Sequence, residues 1–426
     1  MNADASPAVL DLQIDSIAAG GDGVGRDETG RVVFVPLAAP GETVRVQIVT
    51  SKARWARGVL REVLAAADNR REAPCPVFGE CGGCRLQHLA EPVQRETKRK
   101  IVQDAIMRIG HIDCEVAPTL WAGSSVQYRN RITLTVRGPA VGYRALGNPG
   151  RVVPITDCLL AEPPIRAAVE ALSTGEGLPS GGELRLTIRA SSTGRVALHA
   201  EGGTEPGEPG IVEERVVGLE SYWWHDAAGR ERLLAGEPTF SESWQGLEYA
   251  LSPKVFLQCN RAVSQEMDAW LDERVGAPAG LRLVDLYAGV GARAIRWSQS
   301  GGDAAACEVD PEAAETCRAA ATRAGAHVEV VCGRAEDHPD LPRGADVVVV
   351  NPPRSGLTGQ VRSTLVCSDV PRVAYVSCDP ATLARDLAEL STHFEILEVQ
   401  PFDAFPQTAH VEVIVWMGRT RRGDLP

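Results

Sequence analysis

The chain has 426 residues, 44% of them hydrophobic and 23% charged, the balance of a folded protein with material for more than one core. No run of 18 or more apolar residues offers a helical membrane span, and the opening MNADASPAVLDL lacks the basic-then-apolar pattern of a secretory signal, so a cytoplasmic protein without membrane contact is expected. Forty-four Lys and Arg against 56 Asp and Glu give a net charge of −12, which argues against a positively coated surface and leaves local basic faces open.

The charge is uneven. Residues 44–108 carry thirteen basic and seven acidic side chains, and Trp121 to Thr156 holds five arginines (Arg129, Arg131, Arg137, Arg144, Arg151) and no acid. Residues 201–220 carry six glutamates against one arginine and are rich in Gly and Pro. One reading is a basic face built from the first 150 residues; the other is ordinary solvated faces and one acidic loop.

Residues 8–63 read as short strands, VLDLQIDSI, RVVFVPL, ETVRVQIVT and ARGVLREVL, between turn-rich stretches, which suggests a small barrel. GDGVGR, then VFVP, then APGE resembles the TRAM domain, an OB-like RNA-binding barrel, and residues 1–63 are assigned to it. Next comes Cys75-x5-Cys81-Gly-Gly-Cys84. Three thiols within ten residues, with glycines that permit tight wrapping, fit a metal site; the spacing alone does not separate zinc from iron–sulfur. The stretch 88–110 reads as a helix with an apolar stripe of Leu89, Val93, Ile101, Ala105 and Ile109 and a basic opposite side. RITLTVR, ELRLTIRA, RVALHA and LEYALS make the rest of the 64–255 segment a mixed, mostly β region.

From about residue 262 the texture becomes alternating helix and strand, and Val347–Val350 has the unbroken apolar run of a strand buried on both faces. This is a doubly wound α/β domain, with HVEVIVWMG as an antiparallel edge. Its first strand ends in Asp285-Leu-Tyr-Ala-Gly289-Val-Gly291, where small residues let a ligand approach the backbone. Glu308 ends the next strand, placed to accept hydrogen bonds from a ribose. The third glycine of a dinucleotide fingerprint is missing, which favours a single nucleoside; DxxxGxG with an acid at this interval resembles motif I of class I S-adenosylmethionine methyltransferases. Asn351-Pro-Pro-Arg354 must turn sharply at the same sheet edge. Cys378 sits at a strand-to-helix turn, where the helix amino terminus is expected to lower the thiol pKa. Glu412, inside an apolar strand, is a poor structural choice unless functional, and burial would suit it to proton transfer.

Together these residues suit methylation of a pyrimidine at C5. A thiolate adding at C6 makes C5 nucleophilic, and a base then removes the C5 proton so that the thiol can leave. Cys378 is the expected nucleophile and Glu412 the base. In order, NPPRSG, SCDPATLARDL and FPQTAHVEV resemble the family of uracil-C5 RNA methyltransferases, over essentially the whole chain once the barrel and the cysteines are included.

The resemblance implies an α/β fold: a C-terminal Rossmann-like methyltransferase domain (256–426), an N-terminal OB-like barrel and a mixed, mostly β middle. It also implies S-adenosylmethionine held by Gln258, Tyr287, Glu308 and Asn351. For the cysteines it implies a 4Fe–4S cluster with Cys158 as the fourth ligand to Cys75, Cys81 and Cys84; on the residues alone Cys114 competes for that place. Cys259, Cys307, Cys317, Cys332 and Cys367 read as buried packing residues. The expected substrate is a uridine in structured RNA, 23S ribosomal RNA first and transfer RNA second, met by a monomeric protein. A non-catalytic RNA-binding platform and an amino-group methyltransferase are the competing readings, and neither needs both Cys378 and Glu412.

Overall fold

The structure, a computed structural model, describes residues 8–420. Strands β1 (Val9–Ile17), β2 (Asp22–Arg26), β3 (Val32–Pro36), β4 (Thr43–Ser51) and β5 (Trp55–Ala65) close into a barrel in the order β1-β2-β3-β5-β4. Alternation drives the closure: Val44, Val46 and Ile48 of β4 point in to meet Leu12, Ile14, Val33 and Val35. GDGVGR, expected as a turn, supplies β2. Its glycines permit close pairing, since a Cβ on Gly25 would stand 2.4 Å from the Gln13 carbonyl oxygen.

The cysteine-bearing elbow follows, then α1 (Glu91–Arg108). The expected stripe is only partly the buried one: Leu89 just before the helix and Ile101 are buried, Val93 and Ala105 are half-buried and Ile109 is exposed, while Gln94, Thr97, Lys98, Val102 and Ile106 also face inward. Positions four apart drift around a 3.6-residue helix, and Lys98, expected on the basic side, is sealed in because Asp403 neutralises it. Val102 and Ile106 join the core of the C-terminal sheet beside Val348 and Tyr375.

The middle sheet contains β6 (Arg131–Arg137), β7 (Ala140–Ala145), β8 (Asn148–Pro154), β9 (Leu184–Ala190), β10 (Val196–Gly202), β11 (Leu219–His225) and β12 (Glu231–Gly236), in the order β12-β11-β10-β9-β6-β7-β8. Helices α2 (Pro163–Ala171) and α3 (Pro209–Arg215) pack on it through Ile165, Val169 and Val212. The acidic 201–220 stretch therefore contains a short helix rather than only loop. A hairpin, β13 (Phe240–Trp244) and β14 (Leu247–Leu251), and α4 (Arg261–Val275) share a core with the C-terminal sheet.

That sheet is built from β15 (Arg282–Leu286), α5 (Ala292–Gln299), β16 (Asp303–Glu308), α6 (Pro311–Arg323), β17 (Val328–Cys332), β18 (Val347–Val350), α7 (Gly359–Cys367), β19 (Arg372–Ser377), α8 (Pro380–Leu390), β20 (Phe394–Phe402) and β21 (Glu412–Arg419). Its order is β17-β16-β15-β18-β19-β21-β20, so the winding reverses between β15 and β18, where open α/β sheets bind ligands. The last strand is not the edge. β21 lies between β19 and β20, antiparallel to both, and Glu412 to Gly418 are all buried. An almost wholly apolar strand needs neighbours on both sides, and β20, with Glu395 and Glu398, takes the edge.

Candidate active site

The loop after β15 is fixed in an unusual backbone. Tyr287, Gly289 and Gly291 have φ of 67°, 58° and 74°. Gly291 cannot carry a side chain, because a Cβ there would stand 2.1 Å from Cys317 Sγ. Glu308 pins the loop: its Oε2 accepts the Gly289 N–H at 2.7 Å, and its Oε1 accepts that of Asp310 at 2.9 Å. Gln258, Asp285, Tyr287, Gly289, Arg293 and Asn351 line a cavity of about 110 Å³. Three of the four residues expected at the cofactor thus meet in one cavity, while Glu308 is not in its lining and is linked to it through the Gly289 N–H. The Gln258 carbonyl is held by Asn130 Nδ2 at 3.0 Å. Asp285, buried at the sheet edge, is pushed up to about 6 by that burial, with Arg293 opposing. Sequence reasoning passed over Arg293 and its partner Asp268; an arginine in the first turn of the helix behind the glycine loop was the available signal.

A larger cleft of about 750 Å³ opens between the barrel and the sheet, lined by Cys378, Arg354, His410, Phe34, Ile101 and Arg108 among others. Cys378 ends the β19 turn, and Asp379 caps α8 by accepting the N–H groups of Ala381 at 3.0 Å and Thr382 at 2.9 Å. The expected lowering of the thiol pKa does not occur. Burial pushes it up, the Glu412 carboxylate pushes it further, and Arg354 only partly opposes them. The helix dipole is already answered by Asp379. Glu412 is 3% exposed and raised to about 8 by burial, again with Arg354 pulling down. Cys378, Arg354 and Glu412 therefore act on one another in one place. By sequence alone Arg354 reads only as a neighbour of the crevice.

Residues 403–411 carry the chain to Glu412, and other elements hold them. Lys98 pairs with Asp403 and donates to the Phe405 carbonyl at 2.9 Å. Tyr128 Oη donates to the Pro406 carbonyl at 3.0 Å. Gln407 exchanges two 2.9 Å hydrogen bonds with Gln94, accepts from Arg71 at 2.7 Å, and receives the Arg85 and Leu86 amides on its carbonyl. The cysteine elbow is thereby tied directly to the loop that delivers the carboxylate.

Cys158, 74 positions beyond Cys84 in the chain, acts electrostatically on Cys75, Cys81 and Cys84. Burial raises Cys81 to about 11 and Cys84 to about 12, with Cys158 adding to both, while Arg129 pulls Cys84 down. Tyr143 Oη lies 3.9 Å from Cys158 Sγ. Among the described residues no three His, Cys, Asp or Glu stand close enough to hold a single metal ion. Cys114 is elsewhere, packed against the core beneath α1. Of the five cysteines expected as packing residues, Cys307 and Cys317 are buried, Cys259 is intermediate, and Cys332 and Cys367 are exposed, each of the last two ending an element at the surface.

The arginine-rich stretch is less free than its sequence suggests. Arg137 and Arg144 both pair with Glu183, and Arg151 pairs with Glu80, acids that the fold brings from elsewhere. Arg95 stacks over the exposed Trp121 ring at 3.9 Å. Among the described residues no helix is long and apolar enough to cross a membrane.

Comparison with known proteins agrees with this geometry. The TRAM domain model matches residues 8–60, and the model for tRNA (Uracil-5-)-methyltransferase matches residues 343–420. A 23S rRNA (uracil(1939)-C(5))-methyltransferase of Halomonas elongata is 34% identical over 94% of this chain and 88% of its own length. An uncharacterized RNA methyltransferase of Thermosynechococcus vestitus is 32% identical over 96% and 97% of the two chains. The Pyrococcus abyssi tRNA (uracil-54, C5)-methyltransferase, solved with S-adenosyl-L-homocysteine, shares the fold at a TM-score of 0.75 and 24% identity, covering 96% of this chain and 100% of that one. With the barrel, the glycine loop and the crevice at the switch point in place, the chain belongs to the S-adenosylmethionine-dependent uracil-C5 RNA methyltransferases.

Proposed function

We propose that this enzyme methylates C5 of a uridine in 23S ribosomal RNA, with Cys378 as the nucleophile and Glu412 as the base. The observation that carries this reading is that Cys378 and Arg354 line one cleft, with Glu412 buried directly behind the lining residue Val411 and close enough to act on Cys378. The cleft is walled on one side by the barrel, whose Phe34 and Arg26 face the space a target base would enter. The base must leave its stack to reach Cys378.

Arg354 beside Cys378 favours the thiolate, whose proton leaves to the open cleft. The sulfur adds to C6 of the uracil, and the electron pair moves to C5 as an enolate. S-adenosylmethionine, when bound, supplies the electrophilic methyl group to C5. Glu412 removes the C5 proton, the enolate re-forms, and the C6–S bond breaks with the electron pair returning to sulfur. Gln258, Tyr287 and Asn351 would contact the cofactor, and Glu308 would serve by fixing the Gly289 loop.

Cys75, Cys81, Cys84 and Cys158 would hold a 4Fe–4S cluster. The support for this reading is that Cys158, far along the chain, acts electrostatically on Cys75, Cys81 and Cys84, with the Arg129 guanidinium as a counter-charge to Cys84. Its part would be structural, since methyl transfer by this route moves no single electron. The enzyme would work as a monomer in the cytoplasm, where its RNA substrate is found.

Ribosomal RNA is favoured over transfer RNA by the Halomonas relative, while the description of the family model for residues 343–420 names transfer RNA. Both RNAs, each carrying 5-fluorouridine, decide the matter. Fluorine at C5 cannot leave as a proton, so a methylated protein–RNA adduct should survive a denaturing gel with wild type and vanish with Cys378→Ala. An adduct that persists in Cys378→Ala, or none on either RNA despite binding, overturns the covalent route.

A further inference from the structure

Gln407 is the last anchor of the loop that delivers Glu412. Its N–H donates to Gln94 Oε1 at 2.9 Å, and its own Oε1 accepts from Gln94 Nε2 at 2.9 Å and from Arg71 at 2.7 Å. Its carbonyl accepts the N–H groups of Arg85 and Leu86 at 3.1 and 3.0 Å. Five hydrogen bonds from α1 and the cysteine elbow thus meet on a residue that is 1% exposed. Both side-chain partners are themselves oriented, Gln94 Nε2 by the Leu89 carbonyl at 3.0 Å and Arg71 Nε by the Gln87 carbonyl at 3.0 Å. From Thr408 to Val411, among the described residues, the hydrogen bonds stay inside the loop. Thr408 Oγ1 donates to the Phe405 carbonyl at 2.8 Å and accepts the His410 N–H at 3.3 Å. The backbone of Gln407 is strained as well: its φ of 70° lies in the left-handed region, which a residue with a side chain adopts when its surroundings compel it. Glycine would meet that angle without strain but would offer nothing to Arg71 and Gln94.

What the anchor holds follows from the chain order. Glu412 is the first residue of β21; Phe402 of β20 pairs with it, and the pairing with β19 begins one residue later, at Val413 and Ser377. On its other side the carboxylate depends on the loop. A base that takes the proton from C5 must stand within hydrogen-bond reach of it, and a shift of about 1 Å costs about a hundredfold in rate. We infer that Gln407 is a positioning residue that sets Glu412 for removal of the C5 proton and leaves the attack of Cys378 untouched. The nucleophile is held by other groups, Ser377 Oγ accepting the Asp379 N–H at 3.2 Å and Asp379 capping α8. Arg85 and Leu86 directly follow Cys84, so the cysteine elbow bears on proton removal through the same residue. The inference rests on Glu412 being the base.

Two labelled forms of whichever RNA wild type methylates separate the steps. With 5-fluorouridine the adduct forms without loss of a proton, so its rate reports attack and methyl transfer. With tritium at C5 of uridine, release of tritium to water reports proton removal. In the full-length enzyme Gln407→Met keeps the volume and removes the acceptor. It should form the 5-fluorouridine adduct within about twofold of the wild-type rate, which also reports that it is folded. Its tritium release should be slower by about tenfold or more, with methylated adduct accumulating on ordinary RNA. Gln94→Met removes the facing partner from α1 and should show the same split, so the test stands if one variant does not fold. Gln407→Glu keeps an acceptor for Arg71 and Gln94 and should release tritium within about threefold of wild type. Equal slowing of both steps in the two Met variants overturns the inference, as do wild-type rates in both. So does a Gln407→Glu enzyme as slow as Gln407→Met. Glu412→Gln, run alongside, separates the two levels: wild-type tritium release by that variant overturns the base assignment itself, whereas slow release there with fast release in Gln407→Met overturns the positioning role alone.

Discussion

Lys98 on α1 and Asp403, at the head of the loop that leads to Glu412, form an ion pair sealed from solvent, their side chains 0% and 4% exposed. Burial alone would drive the Lys98 pKa down, and Asp403 is the main group that holds the charge in place. Breaking such a pair from one side leaves an uncompensated buried charge, at a cost of about 3–5 kcal/mol. Lys98→Met should lose roughly that much in urea unfolding. Lys98→Met/Asp403→Leu should recover most of it. Activity should fall in both, because Lys98 also fixes the Phe405 carbonyl of the same loop.

The pH profile should be alkaline. Both groups proposed for the chemistry act deprotonated, and both are raised: Glu412 to about 8, and the Cys378 thiol above its ordinary value. kcat/KM should therefore climb as pH rises through about 8. In Glu412→Gln the covalent adduct on ordinary uridine RNA should accumulate, because the C5 proton has no acceptor. Its rate of formation against pH then reports the thiol alone. A flat profile between pH 6 and 9 would be incompatible with these protonation states.

The same carboxyl links stability to pH. Its folded pKa, about 8, exceeds the unfolded value of 4.5, so its contribution is fully present below 4.5 and is lost as pH rises through 8. Glu412→Gln should accordingly melt close to wild type near pH 4.5 and above it near pH 8.5. The gain is set by about 2–4 °C per kcal/mol in a domain of 150–250 residues. Paired calorimetric scans at the two pH values check the sign.

Gly291→Ala should damage the cofactor loop twice. Its Cβ would collide with Cys317 Sγ, and its φ of 74° is strained for any L side chain. A loss of about 1–3 kcal/mol from strain, plus the clash, is expected together with weaker S-adenosylhomocysteine binding. Adding Cys317→Ala should restore the clash part only, which leaves the double variant between wild type and Gly291→Ala.

The four-cysteine assignment predicts unequal effects of two serine variants. After anaerobic reconstitution, Cys158→Ser should lose bound iron, and Cys114→Ser should keep the wild-type iron and sulfide content. Retention of full iron by Cys158→Ser would remove it from the ligand set.

Local sequence determined the chemistry-bearing turns. DLYAGVG, NPPR, SCDP and the buried acid of HVEV each encode a strand end with small, rigid or capping residues, and those features act within a few residues of themselves. The apolar runs of β15, β16, β18 and β19 likewise state their own burial. Tertiary structure decided whatever depends on partners far apart in the chain. It placed β21 between β19 and β20 rather than at the edge, gave Lys98 an inward face through Asp403, and paired Arg137 and Arg144 with Glu183. It also reversed the expected shift of the Cys378 thiol, because a pKa is set by the burial and charges around a group, and Glu412 lies 34 residues further along the chain.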